Sequence, residues 1–200
     1  MNYNYIAPYY DVLSRLCFLN RQQKAHKIIL SHLKSNDKIL WLGGGSGWFL
    51  KEIDNLEIKL SIDYVEVSSV MMEKAKERKL KNISIHFIQE DILKFIPNQE
   101  YDVIITAFIF DHFQVNECEM MFNRFNSFLR PNGIWVYIDF NEVQNHFQRL
   151  LTHSMVLFFS VIAGIKTNDF PKIDYLFDEY KLIDHQEYFG KYIQAKVYQK

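Results

Sequence analysis

The run Lys38-Ile39-Leu40-Trp41-Leu42 stops at Gly43-Gly44-Gly45-Ser46-Gly47, and a helical pattern through Phe49 and Ile53 follows at once. A short apolar strand that breaks into glycines and re-enters as a helix is one unit of an α/β sheet, with a turn stripped of side chains. Missing side chains let a ligand approach the backbone, and amides at a helix start favour negative groups. The GxGxG order of Gly43, Gly45 and Gly47 is thus a nucleoside-cofactor signature, with a bare tight turn as the bland alternative. Counted from Gly43, the dinucleotide fingerprint needs glycine where Trp48 stands, and no Walker lysine follows, so NAD and ATP both lose ground.

The flanking pattern repeats the unit. Ala25, Ile28, Ile29, His32 and Leu33 predict an amphipathic helix from about Arg21 to Leu33. A second strand covers Ile58 to Val65, Ser68 or Ser69 caps a helix from Val70 to Lys79, and a third strand covers Ile83 to Ile88. The fourth, Tyr101 to Ala107, is nearly all apolar, as a strand covered on both faces must be. Val115, Cys118, Phe122, Phe125 and Leu129 mark its helix, which ends at Arg130-Pro131-Asn132-Gly133 before a fifth strand, Ile134 to Ile138. These read as five βα units. A helical stretch from Glu142 to Ile165 and a short helix Asp174 to Glu179 follow, and Leu182–Phe189 with Tyr192–Tyr198 close the chain as an antiparallel hairpin. The fold expected is α/β: a Rossmann-like, doubly wound, mostly parallel seven-stranded sheet ending in that hairpin.

Composition narrows the functional classes. Two hundred residues suit one domain, 48% hydrophobic and 24% charged, with an aromatic share of 16% that suggests a ring-rich core or pocket. A net charge of -1 lacks the basic excess of nucleic-acid capture. Cys17 and Cys118 form no CxxC pair, so a reduced cytoplasmic setting is expected and neither zinc nor a disulfide framework is indicated. Neither a signal peptide nor a membrane span is expected, since the longest apolar stretch, Met155 to Ile165, falls short of the about 20 residues a span needs.

Chemistry concentrates where strands end. Glu66, closing the second strand, can accept hydrogen bonds from both ribose hydroxyls. Asp91 after the third strand is placed to meet an adenine amino group, with Ile92, Val67 and Met71 as apolar walls, or is a plain turn residue. Thr106-Ala107-Phe108-Ile109-Phe110-Asp111-His112 reaches the crevice where open α/β sheets bind ligands.

In order, Ile39 to Gly47, Tyr64-Val65-Glu66-Val67-Ser68, Gln89-Glu90-Asp91-Ile92, Tyr101 to Ile105 and Leu129 to Gly133 resemble the class I S-adenosylmethionine-dependent methyltransferase family. The resemblance covers about Asp37 to Phe140, and outside it the chain is only generally similar to small-molecule members such as quinone-pathway methyltransferases. It implies S-adenosylmethionine as cofactor: Gly43, Gly44, Gly45, Ser46 and Gly47 meet its methionine end, Glu66 the ribose, and Asp91 with Ile92 the adenine, while Val67, Met71, Ala107 and Phe108 line the site. It also implies that residues 1–36 form a helical lid carrying Tyr10, with a cofactor core over 37–140 and substrate-side helices and the hairpin over 141–200. One departure stands out: the family commonly has an acid two positions before the first glycine, and here Trp41 occupies it.

Methyl transfer runs largely on positioning in a dry pocket, so a base is optional. Where the acceptor needs one, Asp111 and His112 are the candidates, and capping the next helix is their alternative. Tyr9, Tyr10 and Asp11 belong to the lid or simply anchor its helix. His146 and His153 share a helix face but lack a third ligand, so no metal is expected. Met155 to Ile165, with Phe158 and Phe159, is core or a wall for an aromatic or hydrophobic acceptor. The expected function is methylation of O, N or C of a small molecule. A methyltransferase-like protein that binds without catalysis, or an enzyme acting on nucleic acid or protein, is the alternative.

Overall fold

In the computed structural model, residues 21–141, 143, 145–150, 152 and 170–200 are described. The helix α1 (Arg21–Leu30) precedes β1 (Lys38–Leu42), and α2 (Leu50–Asp54), β2 (Leu60–Val65), α3 (Ser69–Lys76), β3 (Ile83–Ile88) and β4 (Tyr101–Ala107) follow. After β4 come a 3-10 turn at Phe110–His112, α4 (Val115–Asn126), β5 (Leu129–Phe140), a second 3-10 turn at Asp174–Phe177, β6 (Lys181–Tyr188) and β7 (Ile193–Gln199). One sheet takes the strands in the order β3-β2-β1-β4-β5-β7-β6. The first five run parallel, and β7 joins β5 and β6 antiparallel. This is the doubly wound architecture with a closing hairpin that the sequence predicts.

Alternation along β1 divides the core between the two sheet faces. Ile39 and Trp41 join α1, α2 and α3 through Ala25, Ile28, Leu50, Ile53, Met72 and Ala75. Leu40 and Leu42 join α4 and the second 3-10 turn through Cys118, Phe122, Phe125 and Phe177. Both faces are covered, so the parallel strands read as continuous apolar runs. No helix among the described residues is long and apolar enough to cross a membrane.

Several expectations need correction. No helix stands between β3 and β4, so the five βα units become fewer. The connection is instead a turn in which the Asp91 carboxylate accepts from the Leu93 amide at 3.0 Å, a side-chain bond that competes with helix formation. The Arg130–Gly133 turn lies inside β5, where pairing with β4 jumps from Tyr101–Leu129 to Val103–Ile134, so α4 ends at Asn126 rather than Leu129. Asn132 takes φ 64° there, an excursion asparagine tolerates. Asp174 to Glu179 makes only a 3-10 turn over Asp174–Phe177. The helix expected over 142–165 is seen at 146–150 and at 152, not at 143 or 145, and its other residues, with the lid and its Tyr9 and Tyr10, His153, Phe158 and Phe159, lie outside the described residues.

Candidate cofactor and acceptor site

The carboxyl ends of β1, β2 and β4, with the turn after β3, converge at one edge of the sheet. Gly43, Gly45 and Gly47 all hold positive φ, at 65°, 65° and 66°. Gly44 is required for space, because a β-carbon there would sit 2.0 Å from the Tyr64 ring, which fills the underside of the loop. At Gly45 a β-carbon would meet nothing within 4 Å, so this residue faces open space. The Tyr64 hydroxyl donates to the Gly45 carbonyl at 3.1 Å, fixing the loop from below.

Glu66 is buried directly after β2. Its Oε2 accepts from the Gly45 amide at 2.9 Å and its Oε1 from the Ser68 amide at 2.8 Å, so the backbone of two loops orients one carboxylate. Burial pushes its pKa up, against the pull of those amides. Ser68 also caps α3, accepting from the Met71 amide. Met71 is buried, while Val67 is 40% exposed, leaving an apolar side chain open to a ligand.

Asp91 lies at the turn after β3, one carboxylate oxygen already committed to Leu93. Ile92 is buried beside the glycine loop, its Cδ1 3.6 Å from where a Gly43 β-carbon would stand. Ala107 and Phe108 end β4; Phe108 takes φ 55°, unusual for a bulky residue, and its amide donates to the Ile138 carbonyl at 2.7 Å. Its ring lies 5.8 Å from the His26 imidazole and 5.0 Å from Phe140. Trp48, just after the loop, packs edge-on to His26 at 4.9 Å. His26 donates through Nδ1–H to the Gln22 carbonyl at 2.8 Å, and burial lowers its pKa to about 4, so the ring is neutral.

Asp111 and His112 occupy the 3-10 turn after β4, His112 Nε2 3.7 Å from Asp111 Oδ1. A third group joins them. Asp139, at the end of β5, accepts from the Phe110 amide at 3.0 Å and the Phe140 amide at 2.8 Å, and its side chain hydrogen-bonds Asp111. Burial drives both carboxyls upward, and their mutual repulsion adds to it at Asp139. Burial holds His112 below the usual imidazole range, while the charges of Asp139 and Glu66 pull it back up. Sequence reasoning missed Asp139; its signal was an acid closing the apolar run Ile134-Trp135-Val136-Tyr137-Ile138. Thr106 does not face the crevice, because its hydroxyl accepts from the Trp135 indole at 2.9 Å within the core.

Trp41 is also core. It is 3% exposed, packed against Phe49 and Tyr64 at 6.4 and 5.8 Å, and offers no charge to a ligand. The carboxylates at the site come instead from Glu66, Asp91, Asp111 and Asp139.

A doubly wound sheet with a glycine loop after β1 and an acid after β2 defines a nucleoside-binding class, and comparison with known proteins resolves the class further. Residues 39–133 match the methyltransferase domain family. A malonyl-[acyl-carrier protein] O-methyltransferase of Ilyobacter polytropus is 31% identical over 104 residues, 52% of this chain and 39% of that protein. The ubiquinone/menaquinone biosynthesis C-methyltransferase UbiE of Methylococcus capsulatus is 24% identical over 91% of this chain and 76% of its own length. Among solved structures, a DhpI complex with SAM and HEP superposes with a TM-score of 0.69 at 15% identity, covering 99% of this chain and 94% of that one. Residues 39–133 thus form a methyltransferase domain, and the chain as a whole is similar to S-adenosylmethionine-dependent methyltransferases. It spans about half the length of the first curated relatives it matches, between 39% and 58%.

Proposed function

We propose that this protein transfers a methyl group from S-adenosylmethionine to a small-molecule acceptor. The observation that carries the reading is the Gly45 amide held on the Glu66 carboxylate with the outer side of Gly45 uncovered: a backbone cradle and an oriented acid at adjoining strand ends. The residues fit the group. Gly43 to Gly47 give the methionine end backbone to lie against, Glu66 accepts from the ribose hydroxyls, and Asp91, Ile92, Val67 and Met71 receive the adenine. Acidic groups around the site suit a ligand bearing a sulfonium and an ammonium charge.

When bound, the cofactor supplies an electrophilic methyl group. The chain's own residues then orient the acceptor and exclude water, with Ala107 and Phe108 lining the crevice. His112, kept neutral by burial, takes the proton of a protic acceptor, and the Asp111–Asp139 pair supplies the countercharge. The relatives named for malonyl-[acyl-carrier protein] and for ubiquinone/menaquinone support acceptors on either a free or a carrier-bound small molecule. A cytoplasmic setting agrees with this reading.

Calorimetry with S-adenosylhomocysteine tests it: saturable binding is expected, lost in Glu66→Ala, and a folded protein that takes up no heat rejects it. One observation favours a second reading, a protein that binds the cofactor without turnover, namely the buried Trp41 where the family commonly has an acid. Tight binding with no methyl transfer across hydroxyl, amine and carbon acceptors would select it.

A further inference from the structure

Two arginines outside the candidate site grip its two loops by their carbonyl oxygens. Arg124, on the face of α4, points one nitrogen, Nη1, at three carbonyls of the turn after β3: Leu93 at 2.7 Å, Phe95 at 3.2 Å and Ile92 at 3.4 Å. Arg78, just past α3, directs Nε and Nη2 to the single carbonyl of Ser46 at 3.3 and 3.1 Å. Neither guanidinium is spent on a carboxylate in these contacts. A turn that has not become a helix leaves its carbonyls without intrahelical donors, and a glycine loop has no side chains with which to brace itself. Hydrogen bonds from a charged donor are about twice as strong as neutral ones, so each arginine is a substantial constraint on a segment that lacks its own.

We infer that Arg124 and Arg78 are positioning residues of the cofactor site, Arg124 setting the adenine-side turn and Arg78 the glycine loop. The inference rests on the methyltransferase reading above. Arg124 acts through Ile92, whose carbonyl it holds and whose side chain reaches the first glycine of the loop, and through Asp91, which shares the turn. Arg78 acts through Ser46, between Gly45 and Gly47. The two grips differ in chemistry. One nitrogen serves all of Arg124's contacts, so a lysine ammonium can replace it; Arg78 uses two nitrogens of its fork on one oxygen, which lysine cannot reproduce.

The test compares two ligands in calorimetry: S-adenosylhomocysteine and methylthioadenosine, which lacks the amino-acid end. Arg124→Ala is expected to weaken both by the same factor, about tenfold, and Arg124→Lys to restore most of the loss. Arg78→Ala should weaken S-adenosylhomocysteine about tenfold and methylthioadenosine much less, with Arg78→Lys failing to rescue. In the ligand-free protein, Arg124→Ala should speed exchange of the Leu93 and Phe95 amides, both donors to Asp91. Should the alanine variant not fold, Arg124→Gln is measured in its place. Unchanged affinities in folded variants, or an Arg124 effect confined to S-adenosylhomocysteine, overturn the inference. Wild-type protein that binds neither ligand while the amide effect persists overturns the cofactor reading, and with it these roles, leaving Arg124 a brace of the fold.

Discussion

Adjacent glycines in the loop have opposite obligations. Gly44 faces inward onto the fully buried Tyr64, and Gly45 faces outward onto nothing. Gly44→Ala must push a packed ring aside, an overpacking loss of about 3 kcal/mol in stability. Gly45→Ala meets only the left-handed backbone penalty, about 1–2 kcal/mol, but places a methyl group where the proposed ligand would lie. Urea unfolding should therefore rank Gly44→Ala as the less stable variant, while calorimetry should show the larger ratio of lost affinity to lost stability at Gly45→Ala. His26 gives a second residue-scale prediction. Its folded pKa is about 4 against an ordinary 6.5, so below pH 6.5 the unfolded chain takes up a proton that the folded chain refuses. Stability from this residue is complete above 6.5 and falls as the pH drops toward 4, by about 3 kcal/mol in total. Asp111 and Asp139 work in the other direction, since carboxyls raised by folding contribute stability at low pH that is lost as pH rises through their folded range. His26→Leu removes only the first slope, so the stability difference between wild type and variant should narrow or reverse on going from pH 7.5 to 4.5. A difference constant across that range would show that the folded ring takes up its proton at the same pH as the unfolded one.

At the level of elements, the end of β4 is secured from β5. Asp139 accepts from Phe110 and Phe140 and bonds Asp111, so one side chain caps the 3-10 turn that carries His112 and follows Phe108 at positive φ. Asp139→Ala leaves two buried amides without their acceptor, each worth about 1–3 kcal/mol, and should lower stability by about 3 kcal/mol. Asp139→Asn keeps one acceptor oxygen and should lose less. Denaturant titration with exchange at the Phe110 amide checks both, and an alanine variant as stable as wild type would mean the turn stands unaided. How much of this was legible follows from which forces are local. The bounds of β1, β3 and β4 match the expected residues because apolar runs flanked by glycine, asparagine or charge are set by nearby residues. The positions of the glycine loop after β1 and of Glu66 after β2 were legible for the same reason. The missing helix after β3 was not, since the Asp91 side chain and a guanidinium from α4 stabilise a turn that periodicity does not register. Nor was Asp139, whose partners sit about thirty residues earlier and meet it only when β4 and β5 pair. Trp41 was legible as a departure, but its inward packing on Tyr64 and Phe49 needed the sheet.

On the scale of the whole molecule, the candidate site is assembled from the ends of β1, β2 and β4 and the turn after β3, so a ligand there would bridge segments far apart in the sequence. A ligand that binds only the folded state stabilises it by mass action, about 2.7 kcal/mol at a hundredfold excess over its dissociation constant. For a chain of this size that corresponds to a rise of about 5–10 °C in melting temperature. The distribution of the gain is as informative as its size. The strand order places β6 at the edge beyond β5 and β7, with several side chains exposed and both β5 and β7 between it and the ends of β1, β2 and β4. S-adenosylhomocysteine should therefore slow amide exchange at residues 43–47, 66–71 and 91–95 well beyond any change across Lys181–Tyr188. Uniform protection over both regions would mean that the gain is global stability alone, because opening would then proceed only through complete unfolding. Protection confined to the hairpin would put the ligand at the other end of the sheet and remove the assignment of the loop, Glu66 and Asp91 together. Homocysteine alone provides the matching control, since it lacks every group that Glu66 and Asp91 are proposed to hold and should move neither the melting temperature nor the exchange at 91–95.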